Sequence, residues 1–381
     1  MSTPLIFQYL SAMEKHNASD IYLTVGFPPT LRGEGEFVKL DDRPLSADDI
    51  DKILASMLTN RQLREFEAEK ELNTALDMGK HGRFRVNVLR QRQCPALVIR
   101  RIIMDIPSLE ELRLPHILEH LAMEKRGLVL LTGATGSGKS TTLAAMVNHR
   151  NQNSSGHIIT IEDPIEYYHE HKGCVVTQRE VGVDTDSYFS AMKNSLRQRP
   201  DVILVGEIRD RDVMEQALAI AETGHLCLAT IHTNNSYQAI ERVVNFFPED
   251  RHNQVRLNLS MNLKGIVSQR LLTNQIGGMV PAVEVMINQG LVRELILKGN
   301  NGKIHDVIEQ NNSIGMQTFD QSLMRLFMDD LISEEVVISS SDKPTDMKIK
   351  MQQVQLMKQS KAGGHKTGLE MVDISRIHLK D

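Results

Sequence analysis

LVLLTGATGSGKSTTLAAM, residues 128 to 146, opens with an apolar run, Leu128 to Leu131, breaks at a glycine, and runs on into a helical pattern. Between run and helix stand Gly133, Gly138, Lys139 and Ser140 in the spacing G-x-x-x-x-G-K-S. Glycines there let the backbone wrap closely enough for its N–H groups and the helix N-terminus to face phosphate oxygens. In such a loop a lysine reaches the β- and γ-phosphates and a serine hydroxyl ligates Mg²⁺. The candidate ATP-binding residues are therefore Gly133, Ala134, Thr135, Gly136, Ser137, Gly138, Lys139, Ser140 and Thr141. A chain of this length matches the bare pattern by chance at about 1 in 100, before the strand and helix around it are required.

Working outward, further apolar runs occupy His157 to Ile161, Val202 to Val205 and Leu226 to Ile231, each followed by a polar turn or helical stretch. That alternation predicts a mostly parallel sheet covered by helices, with ligands at the carboxyl ends of the strands. At such an end, DVILVGEIRD places Glu207 as the second metal carboxylate beside Ser140, while Asp201 begins the same strand and is too far away. HIITIEDPIEYYHE ends another run in Glu162, Asp163 and Glu166, any of which could polarise an attacking water; spacing alone does not rank them.

ETGHLCLATIHTNN, residues 222 to 235, brackets the run Leu226 to Ile231 with His225 and His232. An extended run puts these rings roughly 23 Å apart, so they cannot share a metal. His232, with Thr230 and Thr233, belongs to the nucleotide edge as a γ-phosphate sensor or charge stabiliser; His225 reads as a structural or subunit-interface residue.

With 381 residues, 41% hydrophobic and 24% charged, the chain is expected to form two or three globular domains rather than a disordered or membrane-embedded protein. No run of 18 apolar residues and no leader pattern is seen, so a cytosolic location is expected. Cys94, Cys174 and Cys227 are scattered, which excludes a zinc cluster and predicts buried free thiols. A net charge of −5 argues against a general nucleic-acid coat. The prolines of IPSLEELRLP, Ile106 to Pro115, suggest a hinge. The resulting division is an α+β domain over 1–104, a linker over 105–115, an ATPase domain with C-terminal helices over 116–335, and a partly disordered tail over 336–381 rich in Ser, Lys and Gln.

In order, GATGSGKSTTLAAM, TIEDPIEY, VTQREVG, VGEIRD and AETGHLCLATIHTNN resemble the Walker A, Asp-box, Walker B and His-box motifs of secretion-type ATPases. Over about residues 5 to 335 the chain is most similar to the type IV pilus retraction ATPases of the PilT/PilU family. The variants GHII, EYYHEHKGCVVTQREVGVDTDSY, LRQRPD and HLCLAT look like the PilU branch. The resemblance implies a PAS-like N-terminal domain, a RecA-like P-loop domain and an extended tail. It makes Glu166 the catalytic carboxylate, Glu207 the Walker B acid, and both His225 and His232 members of the His box.

The family also inserts N-terminal arginines into a neighbouring subunit's site. Arg85 and Arg100 in GRFRVNVLRQRQCPALVIRR match those positions, with Arg83 and Arg126 as alternatives. Read as bare sequence, these arginines are a solvated strand face or a nucleic-acid patch. GLVRELILKGN resembles the family's AIR-type segment, keeping Arg293 and departing at Leu291 and Val292. The implied protein is a homo-hexameric, ATP- and Mg²⁺-dependent motor for pilus retraction at the inner-membrane face. It is expected to act with a PilT-type ATPase and a PilC-like platform protein, with no nucleic acid. The alternatives are a hexameric nucleic-acid translocase and a weakly hydrolysing regulatory ring.

Overall fold

The computed structural model describes residues 5–33, 36–78, 82–102 and 104–362. They pack as two units: the first holds residues up to Ile106 with Glu162–Glu170 and Gln178–Ser187, and the second holds the remainder from Pro107.

The first unit alternates short helices with antiparallel strands. Its helices are α1 (Leu5–Lys15), α2 (Ala47–Met57) and α3 (Asn60–Glu69). Its strands are β1 (Asp20–Thr24), β2 (Thr30–Gly33), β3 (Glu36–Lys39), β4 (Glu71–Asp77), β5 (Arg83–Gln91) and β6 (Cys94–Ile102), in the order β3-β2-β1-β6-β5-β4. Alternation decides the faces of β5: Phe84, Val86 and Val88 are fully buried, while Arg83 and Arg85 at the alternate positions are not. Capping boxes start two helices, Ser46 with Asp49 at α2 and Thr59 with Gln62 at α3, satisfying N–H groups that helix geometry leaves unpaired.

The second unit begins with α4 (Ile117–Ala122), β7 (Gly127–Thr132), α5 (Lys139–Asn153), β8 (Gly156–Glu162) and β9 (Cys174–Glu180). It continues through α6 (Tyr188–Ser195), β10 (Val202–Val205), α7 (Arg211–Glu222), β11 (Leu226–Ile231), α8 (Ser236–Asn245) and α9 (His252–Asn262). The strand order is β13-β12-β7-β11-β10-β8-β9, with β12 (Leu263–Thr273) and β13 (Met279–Ile287) joined as an antiparallel pair. β12, β7, β11, β10 and β8 run parallel, as the alternating apolar runs predict. Every residue of β7, β10 and β11 is buried, the signature of strands covered on both faces. The hairpin β12–β13 was not anticipated; its strands carry Ser268, Gln269, Arg270 and Glu284 and so lack a clean apolar pattern.

The segment read as a linker contributes Leu109 and Leu114 to the core of the second unit. Past α10 (Leu291–Lys298), α11 (Ile304–Gln310) and α12 (Phe319–Met328), the tail forms α13 (Glu334–Ser340) and α14 (Pro344–Ala362). Met347 and Met351 of α14 are buried in one cluster with Phe319, Leu323 and Val280. Residues 363–381 of the tail lie outside the described residues.

Of the three thiols, Cys174 and Cys227 are buried, whereas Cys94, at the start of β6, is only half-buried, so the expectation of three buried thiols is corrected there. Complete burial pushes the Cys227 thiol up to about 12 and desolvation also raises Cys174, withholding the reactive thiolate at both. In the native protein at pH 8, a thiol reagent should therefore label Cys94 first. Cys227 should react only on unfolding, measured by mass spectrometry with and without denaturant.

Candidate active site

The loop from Gly133 to Gly138 joins the end of β7 to the start of α5, and its conformation requires glycine. Gly133, Gly136 and Gly138 have φ of +147°, +77° and +86°, in the region that L side chains avoid. A Cβ on Gly133 would lie 2.4 Å from the Gln269 carbonyl oxygen and 2.5 Å from Ser137 Oγ. One on Gly138 would meet Gln269 Nε2 at 2.7 Å, whereas one on Gly136 would meet nothing within 4 Å. β12 therefore presses against both ends of the loop while its tip stays open.

Lys139 is buried, and its Nζ donates to the carbonyls of Gly133 at 3.0 Å and Ala134 at 2.8 Å, holding the ammonium across the loop. Ser137 Oγ is buried with no hydrogen-bond partner among the described residues, a polar atom suited to an anion's oxygen. Gly133 to Ser137 form one wall of a cavity of about 330 Å³, and Asn234, Gln269 and Arg270 stand on the other. Gln269 Oε1 accepts from Thr142 Oγ1 of α5 at 2.8 Å, joining β12 to the helix behind the loop.

The neighbouring strand ends are cross-linked to the loop. Thr230 Oγ1 of β11 donates to the Gly206 carbonyl at 2.5 Å, and Ile208 N–H donates back to the Thr230 carbonyl at 2.9 Å. Thr233 N–H donates to Thr132 Oγ1 at 3.2 Å, fastening the turn after β11 to the end of β7. These bonds bring His232 to Glu207: the ring Nε2 lies 2.9 Å from Oε1, while Arg209 Nε donates to Oε2 at 2.7 Å. Next along the chain, Asn235 caps α8 by accepting from Gln238 N–H. Buried Glu284 accepts from Ser236 N–H at 2.8 Å and from Ser268 Oγ at 3.0 Å.

The structure thus gathers Gly133 to Thr141, Glu207 and His232 at the carboxyl edge of one sheet. His225 lies at the opposite end of β11, with Nδ1 3.1 Å from Thr223 Oγ1. Asp201 also belongs to the far edge, accepting from His157 N–H at 2.8 Å. Exposed Arg126 precedes β7, at the strand end away from the phosphate loop.

The remaining candidates fall in the first unit. Arg85 and Arg100 are register partners across β5 and β6, so they share a face, and Arg100 Nε lies 2.7 Å from Asp20 Oδ1. Arg83 lies with its guanidinium 5.3 Å from the Tyr168 ring centre. Glu162, Asp163 and Glu166 occur in the segment 162–170; Glu166 is exposed between buried Ile165 and Tyr167. Glu180 is buried and accepts from Ile165 N–H at 3.2 Å. Burial raises its carboxyl, offset by that N–H and the Arg85 charge. Gln269, Arg270 and Glu284 were missed, because they sit on strands more than a hundred residues from the phosphate loop in sequence; Arg209, two residues from Glu207, was within reach of the motif itself.

A phosphate loop after the first strand of a parallel sheet, with an acid and a histidine on the adjoining strand ends, defines a P-loop nucleotide triphosphatase. Residues 66–322 match the family model described as type II/IV secretion system protein. The type IV pilus ATPase PilU of Pseudomonas aeruginosa is 48% identical over 341 residues, covering 89% of this chain and 89% of that protein. The retraction ATPase PilT of the same organism is 39% identical over 330 residues, covering 87% and 96%. The crystal structure of the pilus retraction motor PilT with bound ADP superposes with a TM-score of 0.83 at 40% identity, covering 90% of this chain and 98% of that one. The chain belongs to the type II/IV secretion system protein family, and within it is a nucleotide-binding ATPase of the PilT/PilU type.

Two glycine substitutions separate backbone strain from crowding. Gly136→Ala meets only the cost of a left-handed residue, about 1 kcal/mol. Gly133→Ala adds a collision with backbone. It should lower stability by on the order of 2 kcal/mol or more and abolish nucleotide binding, while Gly136→Ala keeps binding. Thermal melting and titration with a fluorescent ATP analogue check both.

Proposed function

We propose that this chain is the ATP-hydrolysing motor of type IV pilus retraction, working as a homo-hexameric ring with a PilT-type ATPase on an inner-membrane platform protein. The observation that carries the reading is the joined edge of the second unit, where the lysine-bridged phosphate loop and the His232–Glu207 contact at 2.9 Å are tied together through Thr132 and Thr233.

ATP hydrolysis needs the attacking water oriented and the charge on the transferring phosphoryl group balanced, with little covalent help from the protein. Backbone N–H groups of the loop, Ser137 and Thr141 hold the phosphates, and Lys139 turns its ammonium from the loop carbonyls toward them. Glu166 is the carboxylate that orients the water. His232, hydrogen-bonded to Glu207, reads the γ-phosphate, and a change at either residue moves the other. Arg85 and Arg100 act in trans on a neighbouring subunit's nucleotide, which is why a ring is required.

Among the described residues no three His, Cys, Asp or Glu side chains cluster as a self-contained metal cage. Mg²⁺ keeps waters and takes one or two protein oxygens beside substrate phosphates. Ser140 and Glu207 are the oxygen donors that would hold it, and its charge would neutralise the departing phosphates.

Lys139→Ala should abolish both ATP binding and turnover with the fold intact by circular dichroism; unchanged turnover would refute the site. Glu166→Gln and His232→Ala should keep ATP binding and lower kcat by roughly 10²–10⁴-fold. Loss of binding in either would assign it to the pocket instead. In cells, deleting this gene should weaken pilus retraction force measured by optical trap, with or without a PilT-type relative. An unaltered force in both backgrounds would remove the motor reading.

A further inference from the structure

Gln269 and Arg270 are neighbours on β12, and strand alternation sends their side chains to opposite faces of the sheet. Gln269 bonds Thr142 behind the phosphate loop. Arg270, on the other face, donates from Nη1 to the Ser340 carbonyl at 2.6 Å and from Nη2 to Asp342 Oδ1 at 2.8 Å. Its guanidinium lies 3.8 Å from the centre of the Phe319 ring. Both residues also line the nucleotide cavity beside Gly133 to Ser137.

The loop between α13 and α14 is pinned a second time. Asp320 Oδ1, in the first turn of α12, accepts from Ser341 Oγ and from Asp342 N–H, each at 2.9 Å. Behind it, α14 buries Met347 and Met351 in the cluster that holds Phe319. The tail is thus fastened to the strand that forms a wall of the nucleotide cavity.

We propose that Arg270 is a positioning residue for nucleotide binding, held in place by the loop Ser340–Asp342, so that the C-terminal tail sets the affinity of the phosphate loop for ATP. The proposal rests on the reading of Gly133 to Thr141 as the ATP site. The Arg270–Asp342 pair is 28% and 32% exposed, against 71% and 72% for the surface pair Lys52–Asp48, so solvent screens it less. A guanidinium's planar fork, tied to a carbonyl, a carboxylate and a ring face at once, has little freedom left. The backbone at Gln269 has no slack either, since its carbonyl fills the space a Cβ on Gly133 would need. A displaced Arg270 therefore shifts the cavity wall. The partners that hold Arg270 are Ser340, Asp342 and Phe319, all apart from the reacting phosphate, so the effect falls on binding rather than on the chemical step.

The test uses the full-length chain, with steady-state ATPase kinetics and equilibrium titration of N-methylanthraniloyl-ATP. Asp342→Asn, which keeps the side chain's shape, and Arg270→Ala should each raise KM for ATP and the analogue's Kd by roughly three- to ten-fold, with kcat changed less than about two-fold. Arg270→Lys, which keeps a positive charge facing Asp342, should lose clearly less affinity than Arg270→Ala. Unchanged affinity in Asp342→Asn would overturn the proposal. So would an Arg270→Lys variant as impaired as Arg270→Ala, because the charge facing Asp342 would then play no part. Lys139→Ala serves as the control: retained analogue binding there would overturn the ATP-site reading itself, whereas loss there with wild-type affinity in the Asp342 variant overturns only the role of the tail.

Discussion

A loop that wraps a polyphosphate with its own N–H groups has to be held open against its tendency to collapse, and here the close approach of β12 to Gly133 and Gly138 does the holding. The Gln269 carbonyl and amide occupy the space where Cβ atoms would lie. The contact works only because β7 is an interior strand, hydrogen-bonded to β11 on one side and β12 on the other. β11 ends level with β7 while β12 runs on past it, so the loop is flanked by Thr233 and His232 on one side and by Gln269 on the other. Sheet order, more than any single side chain, sets the site.

The arrangement around Glu207 follows from the same edge. Gly206 N–H donates to the Ile161 carbonyl, extending the ladder one residue beyond β10 and aiming the next side chain outward. Its two carboxylate oxygens then take different partners, Arg209 from its own turn and His232 from the next strand. An acid held at both oxygens has a defined orientation before any ligand arrives. Glu284 performs a comparable service one layer further back, fixing the start of α8 and thereby the turn that carries His232.

The parallel core and the phosphate loop were legible because both compress into short contiguous patterns. Four- to six-residue apolar runs are strands buried on two faces, and phosphate binding needs its glycines, lysine and serine within eight positions. The position of Glu207 was legible as that of the first charged residue beyond a buried strand. Gln269, Arg270 and Glu284 were not, since polar residues inside a strand look like an exposed face until the register of β12 against β7 and β13 is known. In the tail, rich in Lys and Gln, Met347, Met351 and Val354 recur at helical spacing and are buried on α14.

That stripe bears on what the tail can do. A helix attached only by apolar contact would slide or detach without affecting the rest of the molecule, because hydrophobic contact is not directional. The ion pair and the carbonyl contact at Arg270, together with the two bonds to Asp320, supply direction and fix one register of the loop against β12. Apolar burial supplies most of the attachment energy, about 1.5–3 kcal/mol for each fully buried large side chain. The polar contacts decide where that energy is applied. In this chain they apply it to the strand whose backbone touches the phosphate loop, so a force on the tail and a phosphate in the loop act on the same few atoms of β12.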